Sequence, residues 1–192
     1  AGALVHVYTD GSVHLNHGGT EMGQGLNTKV AQIVAHEFQI DFDAIKITAT
    51  TTGKVPNTSA TAASSGTDLN GMAAQTAART IKTRMTTYLA DLHECAAGDV
   101  IFSNGTVRAG KASLSFAEAV KACYLGRVSL SSTGYYATPK IHWDSARVRG
   151  RPFYYFAYGA AVSEVVVDTL TGENRILRTD ILHDAGRSLT PA

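Results

Sequence analysis

An eight-residue segment from Gly18 to Gly25, called here the glycine-rich segment, has the composition of a ligand-binding turn. Four of its eight residues are glycine, and helical periodicity follows directly after it. A strand-to-helix turn of this kind lets the backbone approach a ligand and directs free N–H groups at it, which favours an anion such as a phosphate. A tight turn without a ligand fits the glycine content equally well.

A second segment, residues 50–68, consists almost entirely of small polar residues and has little to bury. Its composition is that of a flexible linker. A loop of this length inside a compact domain is uncommon, however, and is usually either functional or disordered. Because small side chains leave backbone and hydroxyl groups exposed, the segment also suits a polar ligand. The sequence is therefore compatible with either a flexible linker or a binding loop.

Ionisable residues near the glycine-rich segment do not form a catalytic set. His14 and His17 are three apart in a strand pattern, so we expect two partly exposed side chains on opposite faces, which is poor geometry for a shared metal. Glu21 is the carboxylate inside the segment, but a helix N-terminus lowers the pKa of a carboxylate and favours an anchoring role over a base. Thr28 stands where G-x-G-x-x-G needs its third glycine. We therefore predict no catalytic residue and no metal ligand in this chain.

Composition limits the classes of partner. The 192 residues carry 17 Lys and Arg against 16 Asp and Glu, a net charge of +1, so we expect neither nucleic acid nor membrane as a partner. The length predicts a single domain over residues 1–192. Cys95 and Cys123 match neither a disulfide framework nor a metal-ligand spacing, which favours a reducing compartment, the cytoplasm. The chain starts without Met inside a strand pattern, and we expect it to be a fragment of a longer polypeptide.

The first third of the chain predicts a hairpin, a helix and a strand. Strand-prone runs at residues 3–8 and 13–17 are joined through Asp10-Gly11, which predicts a type I′ turn. A helix follows from Leu26 to Phe38, with its apolar residues on one face. Residues 45–49 alternate in character and predict a third strand.

A long helix is expected from Leu69 to His93, with Thr67 or Asp68 as its N-cap. Asn104-Gly105 indicates a second hairpin. The sequence from Ser115 to Glu118 fits a capping box that begins a third helix.

The last third of the chain predicts β structure. An apolar, buried strand within residues 153–168 pairs with a strand at residues 176–182, and we expect Glu164 to pair with Arg175 or Arg178. No βαβ repeat dominates the chain. The fold class is therefore α+β, with three main helices on one face of a mixed or antiparallel sheet.

Several motifs, taken together, resemble the molybdenum hydroxylases, and they follow one another across nearly the full chain. The matching stretches are residues 17–26, 55–64, 128–136, 158–161, 170–173 and 177–181. The tract from Val128 to Pro139 and the style of residues 50–66 favour the xanthine dehydrogenase branch of that family. Bacterial enzymes with a separate molybdenum subunit are the most similar in style. The chain thus resembles part of a molybdopterin-binding domain.

The resemblance implies a molybdenum–molybdopterin cofactor, in the pterin or the dinucleotide form. Residues expected to contact the pterin and its phosphate are Met22, Gly23 and Gln24. Residues expected to hold the pterin edge and the phosphate are Ser64, Ser65, Gly66 and Thr67. Residues expected to lie against the metal and the substrate are Ala62 and Ala63. Small residues and N–H or hydroxyl donors agree with these roles.

The resemblance also implies a reaction of purine metabolism, the hydroxylation of hypoxanthine and xanthine to urate with water as the oxygen source. Electrons then pass through 2Fe-2S clusters and FAD, on a partner subunit or domain, to NAD, within a higher oligomer. The family's catalytic glutamate lies in a Gly-Glu-Pro tripeptide that this sequence lacks, so the fragment alone is expected to be inactive. Alternatives are an aldehyde or another N-heterocycle as substrate on the same scaffold, or a binding domain without catalysis.

Overall fold

A computed structural model of the chain describes residues 1–189. The chain divides into two compact units, Ala1–Ala137 and Thr138–Ala192, and the single domain expected over residues 1–192 stays a prediction. Within the described residues, no helix is both long enough and apolar enough to cross a membrane.

The first unit, all of which the structure describes, contains seven strands and three α-helices. The strands are β1 (Gly2–Val7), β2 (Val13–His17), β3 (Ile45–Ile47), β4 (Val100–Ser103), β5 (Thr106–Ala109), β6 (Ala112–Ser115) and β7 (Ser131–Tyr135). The α-helices are α1 (Leu26–Phe38), α2 (Gly66–Leu92) and α3 (Phe116–Leu125). Short 3-10 turns cover Phe42–Ala44, Ala63–Ser65 and Ala97–Asp99.

The main sheet of this unit has the strand order β3-β2-β1-β7. β1 lies antiparallel to both β2 and β7, whereas β2 and β3 are parallel. Alternate residues of β1 and β2, including Ala3, Val5 and Leu15, are fully buried in a core shared with α1 and α2. A second, antiparallel sheet has the order β4-β5-β6. The structure confirms the α+β class with a mixed sheet and the three predicted helices.

The two predicted hairpin turns differ in conformation. Asn104 and Gly105 both have positive φ, 46° and 74°, as a type I′ turn requires. In the turn between β1 and β2, by contrast, Gly11 has φ of 85° while Asp10 stays outside the positive region, and the Gly11 N–H donates to the Tyr8 carbonyl oxygen at 2.9 Å. The type I′ prediction at Asp10-Gly11 is therefore wrong, although the hairpin itself is confirmed.

Helix α2 begins earlier than its sequence indicates. Its N-cap is Ser65, which makes no side-chain capping hydrogen bond, and its first residue is Gly66. The predicted N-cap at Thr67 or Asp68 is wrong, because the 3-10 turn before the helix leads directly into it. The Asp68 carboxylate accepts a hydrogen bond from the Leu69 N–H at 2.7 Å, inside the first turn.

The buried face of α2 packs against the sheet at a glycine. A Cβ added at Gly134 of β7 would lie 2.1 Å from the carbonyl oxygen of Ala73, so the helix backbone and the strand are in direct contact. The fully buried side chains of the same helix include Ala77, Ile81, Met85 and Leu89. Met72 and Leu92 of this helix are exposed, so its buried face does not include them.

The third helix begins as predicted. The Ser115 hydroxyl accepts a hydrogen bond from the Glu118 N–H at 3.2 Å, and the Glu118 carboxylate accepts from the Ser115 N–H at 2.7 Å. This reciprocal pair is the predicted capping box.

The second unit consists of two-stranded antiparallel ribbons. Their strands are β8 (His142–Asp144), β9 (Arg149–Arg151), β10 (Tyr158–Val167) and β11 (Asn174–Asp184), with β8 paired to β9 and β10 paired to β11. The buried strand predicted here is instead exposed along its length. Arg178 lies opposite Glu164 in the register, but its Nε pairs with the Asp180 carboxylate at 2.7 Å, so the predicted ion pair with Glu164 does not form through Arg178.

Candidate functional site

A cleft of about 480 Å³ lies between the glycine-rich segment and the start of α2. Its lining combines apolar, hydroxyl, amide and cationic groups, from Met22, Gln24, Leu26, Lys29, Thr61, Ala63, Ser64, Gly66 and Thr67. Six of the residues singled out in the sequence therefore meet at one place. The other three, Gly23, Ala62 and Ser65, are chain neighbours of lining residues.

The Glu21 carboxylate takes up the backbone donors at the start of α1. Its Oε1 accepts from the N–H groups of Gly23 at 2.9 Å and Gly25 at 3.1 Å, and its Oε2 accepts from the Asn27 N–H at 2.9 Å. These bonds, the one from Asn27 foremost, hold the pKa of Glu21 below its usual value. Glu21 therefore anchors the turn. The anion expected at this helix start is the chain's own carboxylate, and these N–H groups are already engaged.

The start of α2 has a different character. Ala63 adopts φ of 55°, and the helix that follows has no side-chain cap in the described structure. Gly66 and Thr67, its first two residues, line the cleft. The first N–H groups of a helix need partners from outside the helix, and they attract negative charge. The helix end that opens on the cleft is thus that of α2.

Lys29 adds a positive charge that the sequence prediction missed. Its Nζ donates to the Gln24 carbonyl oxygen at 3.1 Å, and within residues 1–189 it forms no ion pair with a carboxylate. Its position gave a usable signal, because it lies in the first turn of α1, directly after the glycine-rich segment and off the buried face. A lysine beside an uncapped helix start suits a phosphate.

Hydrogen bonds join the 50–68 loop to the glycine-rich segment. The Thr20 N–H donates to the Thr61 hydroxyl at 2.8 Å. The Thr50 hydroxyl lies 3.0 Å from the carbonyl oxygens of both His17 and Gly19. The loop therefore forms one wall of the cleft, and its hydroxyl groups contact the turn opposite.

His17 lies inside this junction and is only 2% exposed, so its predicted partial exposure is wrong. Its Nδ1 accepts from the Gly19 N–H at 3.1 Å, and its Nε2 lies 3.0 Å from the Asn27 Oδ1. Burial lowers the pKa of His17. His14, half-buried on the other side of the strand, instead contacts the Thr48 hydroxyl. The opposite faces predicted for the two histidines are confirmed, and the described residues contain no cluster able to hold a metal.

Comparison with known proteins identifies relatives along the whole chain. The family described as "Molybdopterin cofactor-binding domain" matches residues 1–192. Among curated proteins, the chain is 48% identical over 192 residues to a xanthine dehydrogenase/oxidase of Felis catus and 47% identical to a xanthine dehydrogenase of Oryza sativa subsp. japonica. All of this chain is covered, but it spans only 13% of the length of each relative. These relatives are eukaryotic and give no support to a bacterial origin.

Solved structures share the fold. A CO dehydrogenase from Oligotropha carboxidovorans superposes with a TM-score of 0.76 at 26% identity, over 95% of this chain and 22% of that one. A quinoline 2-oxidoreductase from Pseudomonas putida 86 gives a TM-score of 0.76 at 22% identity, over 95% of this chain and 23% of that one, and this likeness concerns the fold alone.

Proposed function

Because the chain belongs to the molybdopterin cofactor-binding domain family, we propose that its cleft holds part of a molybdenum–molybdopterin cofactor. The observation that carries the proposal is the donor set of the cleft. An uncapped helix start, a lysine, three hydroxyl groups and one amide meet there, and this set fits a phosphate-bearing pterin. When bound, the molybdenum centre supplies the redox chemistry, and this chain supplies binding and orientation.

The two walls of the cleft take different parts of the cofactor in this proposal. Met22, Gly23 and Gln24 contact the pterin from the glycine-rich segment. The phosphate lies at the start of α2, since Glu21 already occupies the start of α1. Its ligands there are Ser64, Ser65, Gly66, Thr67 and Lys29.

The substrate side of the site is formed by Ala62 and Ala63 in this proposal. Both side chains are exposed and small, and Ala63 lines the cleft. Methyl groups beside a reacting centre leave room for a planar purine ring. Alanine has no acidic or basic group, so the proposed role of these two residues is to set the shape of the substrate pocket.

We further propose that the chain serves within a xanthine dehydrogenase, an oxidoreductase of purine metabolism that hydroxylates hypoxanthine and xanthine to urate with oxygen from water. Relatives of that name at 45 to 48% identity support this. Electrons reach NAD through 2Fe-2S clusters and FAD held elsewhere in the enzyme, which forms a higher oligomer. The catalytic base also belongs elsewhere. Cys95 and Cys123 are both free thiols, which agrees with a cytoplasmic location.

The experiment for this proposal uses the full-length protein. Molybdenum is measured by elemental analysis, and xanthine-dependent NAD reduction is assayed on the same sample. Molybdenum together with xanthine turnover is the expected result. Molybdenum with turnover of aldehydes only would refute the purine substrate and keep the cofactor site, whereas a protein free of molybdenum when produced with cofactor synthesis intact would refute both.

We expect Lys29→Met in the full-length protein to lower molybdenum content about tenfold. A single charge-assisted hydrogen bond to an anion contributes about 1.5–3 kcal/mol, and about 1.4 kcal/mol corresponds to a factor of ten. Lys46→Met is the matched control, since Lys46 is exposed on β3 and does not line the cleft. Molybdenum and phosphate are quantified per protein after gel filtration. Equal molybdenum content in the two variants would show that Lys29 does not bind the cofactor.

A further inference from the structure

We infer that His17 is a positioning residue whose neutral ring, with its proton on Nε2, holds the glycine-rich segment against α1 and makes cofactor retention depend on pH. The pH-dependent retention rests on the proposed function. The tautomer and the segment's attachment rest on the geometry of this chain alone.

The hydrogen bonds of His17 assign its tautomer. The Gly19 N–H is a donor, so the Nδ1 that receives it at 3.1 Å carries a lone pair and no proton. The Oδ1 of Asn27 is an acceptor, so the Nε2 that lies 3.0 Å from it carries the proton. A neutral ring with the proton on Nε2 satisfies both contacts. It thereby joins the second glycine of the segment to the first turn of α1.

Protonation of His17 breaks one of the two contacts. A charged imidazole ring donates from both nitrogens, so Nδ1–H would point at the Gly19 N–H, two donors facing each other. Gly19 is closely packed on its side-chain face, since a Cβ on it would lie 2.5 Å from Leu26 Cδ2 and 2.8 Å from Asn70 Nδ2. The repulsion between the two donors therefore strains the segment from Gly19 to Asn27, which includes the cleft residues Met22 and Gln24.

The surroundings of His17 hold little charge to stabilise an imidazolium. β1 places Ala3 opposite it in the register, α1 offers the amide of Asn27, and the 50–68 loop contributes the Thr50 hydroxyl. Glu21 is the charged group whose field acts on the ring, and it raises the pKa less than burial lowers it. Glu21 is also exposed and engaged with three N–H groups.

The direction of the pH effect follows from the lowered pKa. The folded protein binds the proton on His17 more weakly than the unfolded chain, whose histidine titrates near 6.5. The stabilisation of the segment is therefore complete above pH 6.5 and is lost as the pH falls from there through the folded-state pKa. Acid conditions are expected to release the segment and, with it, the cofactor.

The test compares full-length wild type with two variants and one control. His17→Asn keeps an acceptor for Gly19 and cannot titrate in this range, whereas His17→Phe fills the space without either nitrogen. His36→Asn is the control, because His36 is an exposed histidine of α1, the helix that His17 contacts through Asn27. Hydrogen exchange of the peptide covering residues 18–27 is followed by mass spectrometry between pH 8 and pH 5, with the intrinsic exchange rate divided out. Molybdenum retained after dialysis is measured at each pH.

In wild type and in His36→Asn we expect segment exchange and molybdenum loss to rise about tenfold between pH 7.5 and pH 5, which corresponds to about 1.4 kcal/mol. In His17→Asn both stay flat with pH, and in His17→Phe both are high throughout. A segment whose corrected exchange is flat in wild type, or equally acid-sensitive in His17→Asn, overturns the inference. A protein that holds no molybdenum but still shows acid opening only when His17 is present refutes the proposed function and supports this inference. If His17→Phe fails to fold, wild type and His17→Asn alone decide.

Discussion

Replacing Glu21 with alanine is expected to reduce the molybdenum content of the full-length protein at least tenfold. The carboxylate accepts hydrogen bonds from the backbone of Gly23, Gly25 and Asn27, and alanine leaves all three donors without their partner. The segment that carries Met22 and Gln24 then loses its fixed conformation. Molybdenum is measured per protein after gel filtration, alongside hydrogen exchange of the segment.

Glu118→Ala is the matched control for Glu21→Ala. Glu118 is also a carboxylate that accepts a backbone N–H at a helix start, but it belongs to α3 and does not line the cleft. We expect it to weaken α3 without a change in molybdenum content. If both variants keep molybdenum, or both lose it to the same extent, Glu21 has no specific role at the cleft.

Replacing Gly134 with alanine is expected to cost at least about 3 kcal/mol of stability, at the upper end for overpacked cores. The new Cβ would lie 2.1 Å from the Ala73 carbonyl oxygen and 2.6 Å from the Ala77 nitrogen, both backbone atoms of α2. A backbone atom cannot avoid the clash by changing rotamer as a side chain can, so β7 and α2 have to move apart. Soluble yield and the midpoint of thermal unfolding are the measurements.

Gly98→Ala is the control that distinguishes the steric clash at Gly134 from a general effect of replacing glycine. Gly98 is exposed, has no positive φ, and its added Cβ would meet nothing within 4 Å. Its thermal midpoint should stay within about 2 °C of wild type, because open surface substitutions change stability by less than about 0.5 kcal/mol. A Gly134→Ala protein as stable as Gly98→Ala would contradict the close packing of α2 on β7.

Features set by local chemistry were predictable from the sequence. The capping box at Ser115 and Glu118 forms as expected, because its bonds join residues three apart. The hairpin at Asn104-Gly105 also forms as expected, with positive φ at both residues of its turn. The resemblance of the two polar segments to a known family pointed to the cleft that the fold forms between them.

Features set by contacts distant in the chain were not predictable. His17 is buried where Asn27 of α1 lies beside it, and neither residue alone indicates that contact. Lys29 enters the cleft only once the start of α2 lies opposite. The exposed strand β10 was predicted to be buried because an apolar run has the same sequence pattern whether or not other elements pack on it. The composition of a strand shows how apolar it is, but its burial depends on which other elements pack against it.

The place of β7 in the main sheet has a consequence for the order of folding. β7 is the last strand of the first unit in the chain, yet its neighbour is β1, the first. Contacts between distant parts of a chain form slowly, since the loop between them has to close before they contribute. During synthesis the β1–β2 hairpin can form early, but α2 gains its Gly134 contact only after β7 has left the ribosome. Because the start of α2 lines the cleft, this wall of the cleft is fixed on the sheet late, and we expect a ligand to be inserted there after this unit has been translated.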